Sequence, residues 1–270
     1  MPELPEVETT VRSLNILKNK KVINLQIYTK KLRYLIPHNK LQKIINSKLI
    51  NLRRISKYII LDFNNFYTII IHLGMSGRLK IVGNNDSKKK HDHIILNFNN
   101  NSGLLFNDTR RFGFIDYVKT DQIDNLKYIN KLGIDALDNK LTAEYLYAKI
   151  HKSEILIKQI LLNQHIVAGI GNIYASEILY DAKISPLKKA NSLKKYQIGT
   201  IIRSIRKILK KAIKFGGSTI NDYVSPDGTL GNFQSNFRVY GKEGLKINGY
   251  KIKKVILYGR STFFCPKMQK

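Results

Sequence analysis

Residues 58–72 read Tyr-Ile-Ile-Leu-Asp-Phe-Asn-Asn-Phe-Tyr-Thr-Ile-Ile-Ile-His: two short runs, Tyr58–Phe63 and Tyr67–His72, rich in β-branched and aromatic side chains and parted by Asn64-Asn65. Runs of this length with turn formers between them are strands, not helices. Working outward, Val22–Tyr28, Leu49–Ile55, Arg78–Val82, His93–Phe98, Gly103–Asn107 and Phe114–Val118 have the same character. They are divided by polar clusters such as Gly83-Asn84-Asn85-Asp86 and Asn99–Gly103. Many short strands without long helices between them predict a β-sandwich or barrel over residues 22–120. A helix is expected before them at 3–19. Pro2 and Pro5 suit its start, Glu3, Glu6 and Glu8 complement its dipole, and Val7, Val11, Leu14 and Leu17 recur at helical spacing.

Beyond residue 140 the period changes. Thr142–Gln164, Ile173–Ala182 and Leu193–Phe215 read as helices; in the last, Ile201, Ile202, Ile205, Ile208, Leu209 and Ala212 share a face, and Gly216-Gly217 ends it. A Gly- and Asn-rich stretch follows at Ser218–Asn236, then a hairpin around the strong turn dipeptide Asn248-Gly249. The expected organisation is α+β multidomain: a β-sandwich flanked by helices at 1–125, a linker at 126–140, a helical domain at 141–235 with a loop at 218–236, and a terminal β-hairpin region at 237–270.

Of 270 residues, 47 are Lys or Arg and 19 Asp or Glu, a formal net charge of +28. Apolar residues make up 43%, which excludes a disordered tail protein. Charge of this sign and size makes nucleic acid the first partner to test. A competing origin is drift toward an AT-rich genome, which also enriches Lys, Asn and Ile. The lone Cys265 excludes an internal disulfide and a thiolate-only zinc site. The longest apolar runs are far short of the ~20 residues of a membrane span. The N-terminus is acidic and lacks an apolar signal core. A soluble, intracellular protein with no membrane partner is expected.

Pro2 carries chemistry if Met1 is removed, as it commonly is before a small residue. The new terminus is then a secondary amine, far more nucleophilic near neutral pH than a lysine, because α-amino groups titrate near ~8 and lysine near ~10.4. Such an amine can form an iminium directly with a sugar C1′, and Glu3 beside it could shuttle protons. Proline at this position is also an ordinary helix starter. His91 and His93 raise a metal pair, against which stands a structural or phosphate-contact role, since no third ligand is in view.

Several stretches in order resemble the formamidopyrimidine-DNA glycosylase (Fpg) family. They are Met1-Pro2-Glu3-Leu4-Pro5-Glu6-Val7-Glu8-Thr9, Arg54-Ile55-Ser56-Lys57-Tyr58, His72-Leu73-Gly74-Met75-Ser76-Gly77, Lys90-His91-Asp92-His93, Asp108-Thr109-Arg110-Arg111-Phe112-Gly113, Gly169-Ile170-Gly171-Asn172-Ile173-Tyr174-Ala175-Ser176-Glu177, Gly216-Gly217-Ser218-Thr219 and Val239-Tyr240-Gly241. The resemblance implies a bifunctional glycosylase and AP lyase of base-excision repair. It would act on oxidised purines (8-oxoguanine, formamidopyrimidines) in double-stranded DNA, as a monomer in the bacterial cytoplasm or nucleoid. Pro2 would attack C1′, Glu3 would assist ring opening, and Lys57 would face the phosphates and the lesion; β- and δ-elimination would follow without metal or redox cofactor.

An enzyme that acts on a stacked base must extrude it and fill the hole. By resemblance Met75 and Phe112 are the wedges and Arg110 pairs with the orphaned cytosine. Arg111, His91 and Asn172 then contact the DNA backbone, Asn172 at the start of a helix in a helix–two-turn–helix element, and Arg260 matches the finger arginine of the family and should enter the DNA. Glu177 is a structural partner within that element. Ser218–Asn236, with Ser218, Thr219, Ile220 and Tyr223, corresponds to a mobile loop that closes over the flipped base. Asn221 stands where the family usually has a basic residue, which bears on lesion preference.

The chain departs from the family at its end. The family usually binds one structural zinc through four cysteines. Here Leu245–Tyr250 replaces the first pair, Met268 replaces the last position, and Cys265 alone remains. A zincless finger is expected, held by the Asn248-Gly249 turn and by Ile247, Ile252, Val255, Leu257 and Phe263, with no cofactor. Three alternatives stay open: an endonuclease VIII-like glycosylase for oxidised pyrimidines, a non-catalytic damaged-DNA-binding protein, and a basic RNA-binding protein.

Overall fold

In the computed structural model the described residues are 2–83, 86–219 and 225–270. Two units divide the chain: Met1–Asn130 with Phe215–Gln234, and Lys131–Lys214 with Ser235–Lys270. The segment 218–236, expected with the helices, thus falls for the most part with the β-rich unit.

In the first unit, α1 (Leu4–Ser13) is followed by a 3-10 turn at Leu14–Leu17, so the helix expected at 3–19 is shorter and tightens at its end. The strands are β1 (Val22–Ile27), β2 (Leu49–Ile55), β3 (Tyr58–Phe63), β4 (Tyr67–His72), β5 (Gly77–Gly83), β6 (Asp92–Phe98), β7 (Ser102–Asp108) and β8 (Phe114–Lys119). A short helix, α2 (His38–Leu41), lies between β1 and β2, and α3 (Lys127–Asn130) closes the unit. Two four-stranded antiparallel sheets result, ordered β1-β6-β7-β5 and β2-β3-β4-β8. Alternation explains the sandwich: Ile59, Leu61 and Phe63 of β3 join one core with Ile94, Leu96 and Phe98 of β6. Val7, Val11 and Leu14 of the N-terminal segment close that core. Each such side chain contributes roughly 1.5–3 kcal/mol by burial. The β4–β5 and β7–β8 connections both pass from one sheet to the other.

In the second unit, β9 (Ile134–Asp135) and β10 (Val167–Ala168) pair in parallel. The single helix expected at 142–164 is instead α4 (Ala143–Ile150) and α5 (Ile157–Leu162). The break has a cause: the backbone between them bonds to another segment, with Asn191 N–H donating to Ser153 O (2.9 Å), Ala190 N–H to Ile155 O (2.9 Å) and Ile157 N–H to Lys188 O (2.8 Å). Next come α6 (Asn172–Asp181) and α7 (Lys195–Lys214), which packs its Ile-rich face on α6 and α4.

Two hairpins end the chain. β11 (Lys246–Ile247) and β12 (Tyr250–Lys251) flank Asn248-Gly249, both left-handed at φ 48° and 84° as a type I′ turn requires. β13 (Lys253–Leu257) and β14 (Arg260–Phe264) form a second hairpin across Tyr258-Gly259, φ 49° and 73°. Only the first was foreseen, because Tyr-Gly is a weaker turn signal. Val239, Ile252 and Phe263 form the buried cluster, backed by Tyr180, Tyr240 and Ile247. Val255 and Leu257, expected in that packing, are half-buried and outside it.

Candidate functional site

Pro2 and Glu3 are buried at the head of α1. The Glu3 and Glu6 side chains each accept the other's backbone N–H, a reciprocal cap that uses two otherwise orphaned donors. The Glu6 carboxylate also accepts the Ser218 N–H (2.8 Å) and Oγ–H (3.0 Å). One buried carboxylate therefore ties the N-terminal turn to the start of the 218–236 segment. Gly217, left-handed at φ 77°, leaves room for it: a Cβ there would lie 3.1 Å from Glu6 Oε1. Glu6 was quoted in the sequence only as a dipole partner, and nothing in its spacing announced this link.

Lys57 sits in the two-residue turn between β2 and β3, only 7% exposed, so it is not a solvated strand lysine. Arg54 fixes that turn against α1, donating to Ser56 O (2.9 Å) and to Glu8 Oε2 (3.0 Å). Burial pushes the Glu8 carboxyl up, but the hydrogen bonds and charges of Arg12 and Arg54 more than offset this and hold it below its usual range. Near Lys57, at the end of β4, lies His72. Burial first, then the Lys57 and Arg33 cations, lower its pKa to about 4, against a smaller opposite pull from Asp108. The ring is therefore neutral at pH 7. Its Nδ1 accepts the Gly74 N–H (3.1 Å), which leaves the proton on Nε2 as a donor. His72 was not singled out in the sequence; its place in the Gly-Met-Ser-Gly motif was the available signal.

The two sheet-crossing loops carry Met75 (40% exposed) and Phe112 (45%). Asp108, fully buried, clips them together. Its Oδ1 accepts the Ser76 Oγ–H (2.6 Å) and the Arg110 N–H (3.2 Å), and its Oδ2 accepts the Gly113 N–H (2.8 Å). The Arg110 guanidinium lies 4.7 Å from the Phe112 ring centroid. Arg111 is exposed and left-handed at φ 55°. His91 and His93 do not share a strand face. His91 stands in a turn at φ 69°, while His93 is buried in β6 with its Nε2 2.8 Å from Asp108 O.

The described parts of the 218–236 segment are anchored at both ends. Ser225 is buried and meets Ser13 Oγ–Oγ at 2.9 Å, and Ile81 N–H donates to Pro226 O (2.9 Å). Thr219 N–H donates to Gln234 Oε1 (3.0 Å). Ile220 and Tyr223 lie outside the described residues.

In the second unit, Gly169-Ile170-Gly171 turns into α6, with Asn172 its first residue. Gln164 holds the turn, accepting the Gly169 N–H (2.9 Å) and donating to Ile170 O (2.8 Å). Lys158, fully buried, donates to Asn172 Oδ1 (2.7 Å), Thr262 Oγ1 (2.7 Å) and Ser261 O (3.2 Å). Asn172 Nδ2 donates to Ser261 O (3.0 Å). The turn and the strand that begins with exposed Arg260 are thus one hydrogen-bonded assembly. Glu177 accepts the N–H groups of Arg238, Val239 and Tyr240 (2.8–2.9 Å), the structural role expected for it. Cys265 is buried, and the Met268 sulfur accepts the Tyr180 hydroxyl at 3.6 Å. This donor set does not fit a tetrahedral thiolate zinc site. Gln269 anchors the tail instead, accepting the Cys265 N–H (2.8 Å) and donating to Ile184 O (2.9 Å).

Comparison with known proteins agrees along the whole chain. Residues 1–115 match the family model described as the formamidopyrimidine-DNA glycosylase N-terminal domain, and residues 132–224 the one described as its H2TH domain. A formamidopyrimidine-DNA glycosylase of Zymomonas mobilis is 44% identical, covering 100% of both chains. Among solved structures, a Lactococcus lactis Fpg mutant bound to DNA containing Fapy-dG is 35% identical with a TM-score of 0.93, covering 100% of both chains. The wild-type Lactococcus lactis Fpg bound to DNA containing an oxidised pyrimidine is 34% identical with a TM-score of 0.91, again covering 100% of both chains.

Proposed function

The chain belongs to the formamidopyrimidine-DNA glycosylase family, a family of base-excision repair enzymes, and from that premise we propose that it excises oxidised purines from duplex DNA and then cuts the abasic strand. The Pro2 amine, exposed once Met1 is removed, attacks C1′ as the base departs with its bonding electrons. Loss of the ring oxygen bond gives the iminium, with Glu3 supplying the proton. β-Elimination and then δ-elimination release the two phosphate-bearing ends. Glu6 positions this machinery, because its carboxylate holds both the Glu3 N–H and Ser218. That shared carboxylate is the observation that carries the reading: it joins the reacting terminus to the segment that, by resemblance, covers the lesion through Ser218, Thr219, Ile220 and Tyr223.

Lys57 and the neutral His72 donate to phosphate oxygens beside the lesion, and Asn172, Arg260, Arg111 and His91 hold the backbone elsewhere. Met75 and Phe112 fill the vacated stack, and Arg110 donates to the orphaned cytosine. The finger works without zinc, through its type I′ turn, its small apolar cluster and the Glu177 and Gln269 anchors. By resemblance to its bacterial relatives the enzyme acts as a monomer in the cytoplasm. No helix among the described residues is long and apolar enough to cross a membrane. Oxidised pyrimidines are a second substrate class, favoured by the Lactococcus lactis relative that binds one in DNA.

Borohydride reduction during incubation with an 8-oxoguanine:cytosine duplex tests the chemistry. A covalent adduct that disappears when Pro2 is blocked is expected; no adduct with this or an abasic duplex overturns the reading. Metal analysis tests the finger: one zinc per chain, or loss of activity on chelation, refutes the zinc-free reading.

A further inference from the structure

A third loop reaches the same rim as the Met75 and Phe112 tips, and the sequence motifs did not draw attention to it. Residues 30–36 form a tight turn closed by the Lys31–Leu35 bridge and by Ile36 N–H donating to Lys30 O (3.0 Å). Leu32 and Ile36 are buried, while Arg33, Tyr34 and Leu35 are exposed. The turn is docked at two points. Arg33 N–H donates to Gly113 O (3.1 Å), on the peptide next to the one that Asp108 grips, and the Tyr34 ring meets Phe114 edge-on with centroids 5.3 Å apart. Phe114 in turn stacks on His72 at 5.6 Å.

Lys57 and Arg33 both lie close enough to His72 to oppose its protonation, and Arg33 also acts on the Tyr58 hydroxyl. The groups facing His72 are thus Lys57, Arg33, Tyr58 and Asp108. The Asp108 oxygens are already taken by Ser76, Arg110 and Gly113. Among the described residues no carboxylate pairs with the Arg33 guanidinium, which lies 5.4 Å from the ring centroid of the adjacent Tyr34. A guanidinium held beside this rim with no carboxylate against it among the described residues, on a backbone fixed by hydrogen bonds, is a site prepared for an anion.

We propose that Arg33 is a further phosphate ligand of this protein, holding a DNA backbone phosphate on the rim that Lys57 and His72 share. Gly113 O sets its position through the Arg33 N–H, so the phosphate contact and the Phe112 tip move together. The proposal rests on the DNA-repair reading and adds to it a residue on a loop of its own.

Arg33→Gln tests it by binding to a duplex that carries a non-cleavable abasic analogue. Losing one phosphate contact lowers the slope of log K against log[salt] by about 0.9. Between 50 and 200 mM salt the wild type then loses about 3.5-fold more affinity than the variant. Arg33→Lys keeps the slope. Neutral methylphosphonate linkages, placed one at a time, locate the contact: at one linkage the wild type weakens and Arg33→Gln does not. Equal salt slopes, or an Arg33→Gln defect that is the same at every linkage, overturn the proposal. Lys18→Gln, an exposed cation elsewhere, should show no linkage-specific effect. Because binding alone is read, a wild type that binds without forming the borohydride adduct would sink the catalytic reading and leave this one standing.

Discussion

Replacing Asp108 by Asn changes one atom of a buried carboxylate and should undo the pairing of the two exposed tips. The shape is kept, but one acceptor oxygen becomes an NH2 donor. If the nitrogen takes the Oδ2 place it faces the Gly113 N–H, now at 2.8 Å from an acceptor. If it takes the Oδ1 place, the Ser76 hydroxyl can turn to accept, and the Arg110 N–H loses its carboxylate partner but keeps Ser76 Oγ (3.0 Å). Either flip leaves a backbone donor weakened or unpaired where Asp108 is 0% exposed. An unpaired buried donor costs about 1–3 kcal/mol, and losing the charge roughly halves the surviving bonds. A total near 3 kcal/mol is expected. With urea slopes of roughly 1–3 kcal/mol/M, the unfolding midpoint of the β-rich unit should fall by about 1–3 M. Tyrosine fluorescence can follow it, since the chain has 15 Tyr and no Trp. If half of that cost falls on the geometry needed for DNA, affinity for an abasic duplex drops about tenfold. Should Asp108→Asn unfold within about 0.5 kcal/mol of the wild type and bind equally well, the carboxylate does not hold these loops and the account of the tips is wrong.

Three further outcomes can be checked. His72 is kept neutral by the fold, with a pKa of about 4 against roughly 6.5 when unfolded, so below pH ~6.5 the unfolded chain binds the extra proton. Its contribution is therefore complete above that pH and is lost as pH falls toward 4, by about 3 kcal/mol in all; a pH–stability curve of His72→Gln should be flatter across that window, and an unchanged curve counts against the assignment. Lys158→Met strips the donors from Asn172 Oδ1 and Thr262 Oγ1 and should cost about 2–4 kcal/mol; hydrogen exchange in β14 should quicken markedly, and unaltered protection there would contradict the role given to Lys158. Gly74→Ala would set a Cβ 2.4 Å from the Phe112 backbone at a left-handed φ of 64°, so the Phe112 loop must shift; wild-type lesion binding by a folded Gly74→Ala protein would be hard to reconcile with this packing.

The sheets were legible in the sequence because each strand carried its own period and its own turn formers. Tyr58–Phe63 and Tyr67–His72 have the bounds read for them, since Asn64-Asn65 leaves nothing else to adopt. The break between α4 and α5 was not legible, because its backbone bonds go to residues 188–191, which no local pattern relates to 151–157. Motif positions such as Pro2, Lys57 and Asn172 could be named from resemblance. What could not be named were residues that act through partners distant in the chain: Glu6 through Ser218, Lys158 through Thr262, and Arg33 through Gly113. Residue type alone misled in one case. His91 and His93 looked like one strand face, but His91 precedes β6, in the left-handed region.

The placement of the acidic residues answers a question that the net charge of +28 left open. Drift toward an AT-rich genome would account for many lysines but says nothing about where carboxylates go. Glu3, Glu6, Asp62, Asp92, Asp108 and Glu177 are all buried. Asp62 takes Arg53 and Thr68, Asp92 takes the Lys89 N–H and Asn107, and Glu6, Asp108 and Glu177 each gather N–H donors from segments outside the sheets and helices. A carboxylate serves there because it can accept several donors at once, and a loop that must present a side chain has several orphaned N–H groups to satisfy. The same device recurs at the N-terminal turn, at the paired tips and at the start of the terminal hairpins. Burial leaves the long-range field of the molecule at its net charge, but at contact distance a polyanion meets a surface from which six of the 19 acidic side chains have been withdrawn. On the proposed function, loop fixation and affinity for DNA are therefore two consequences of one distribution: the acids inside hold the loops whose cations outside would face the phosphates.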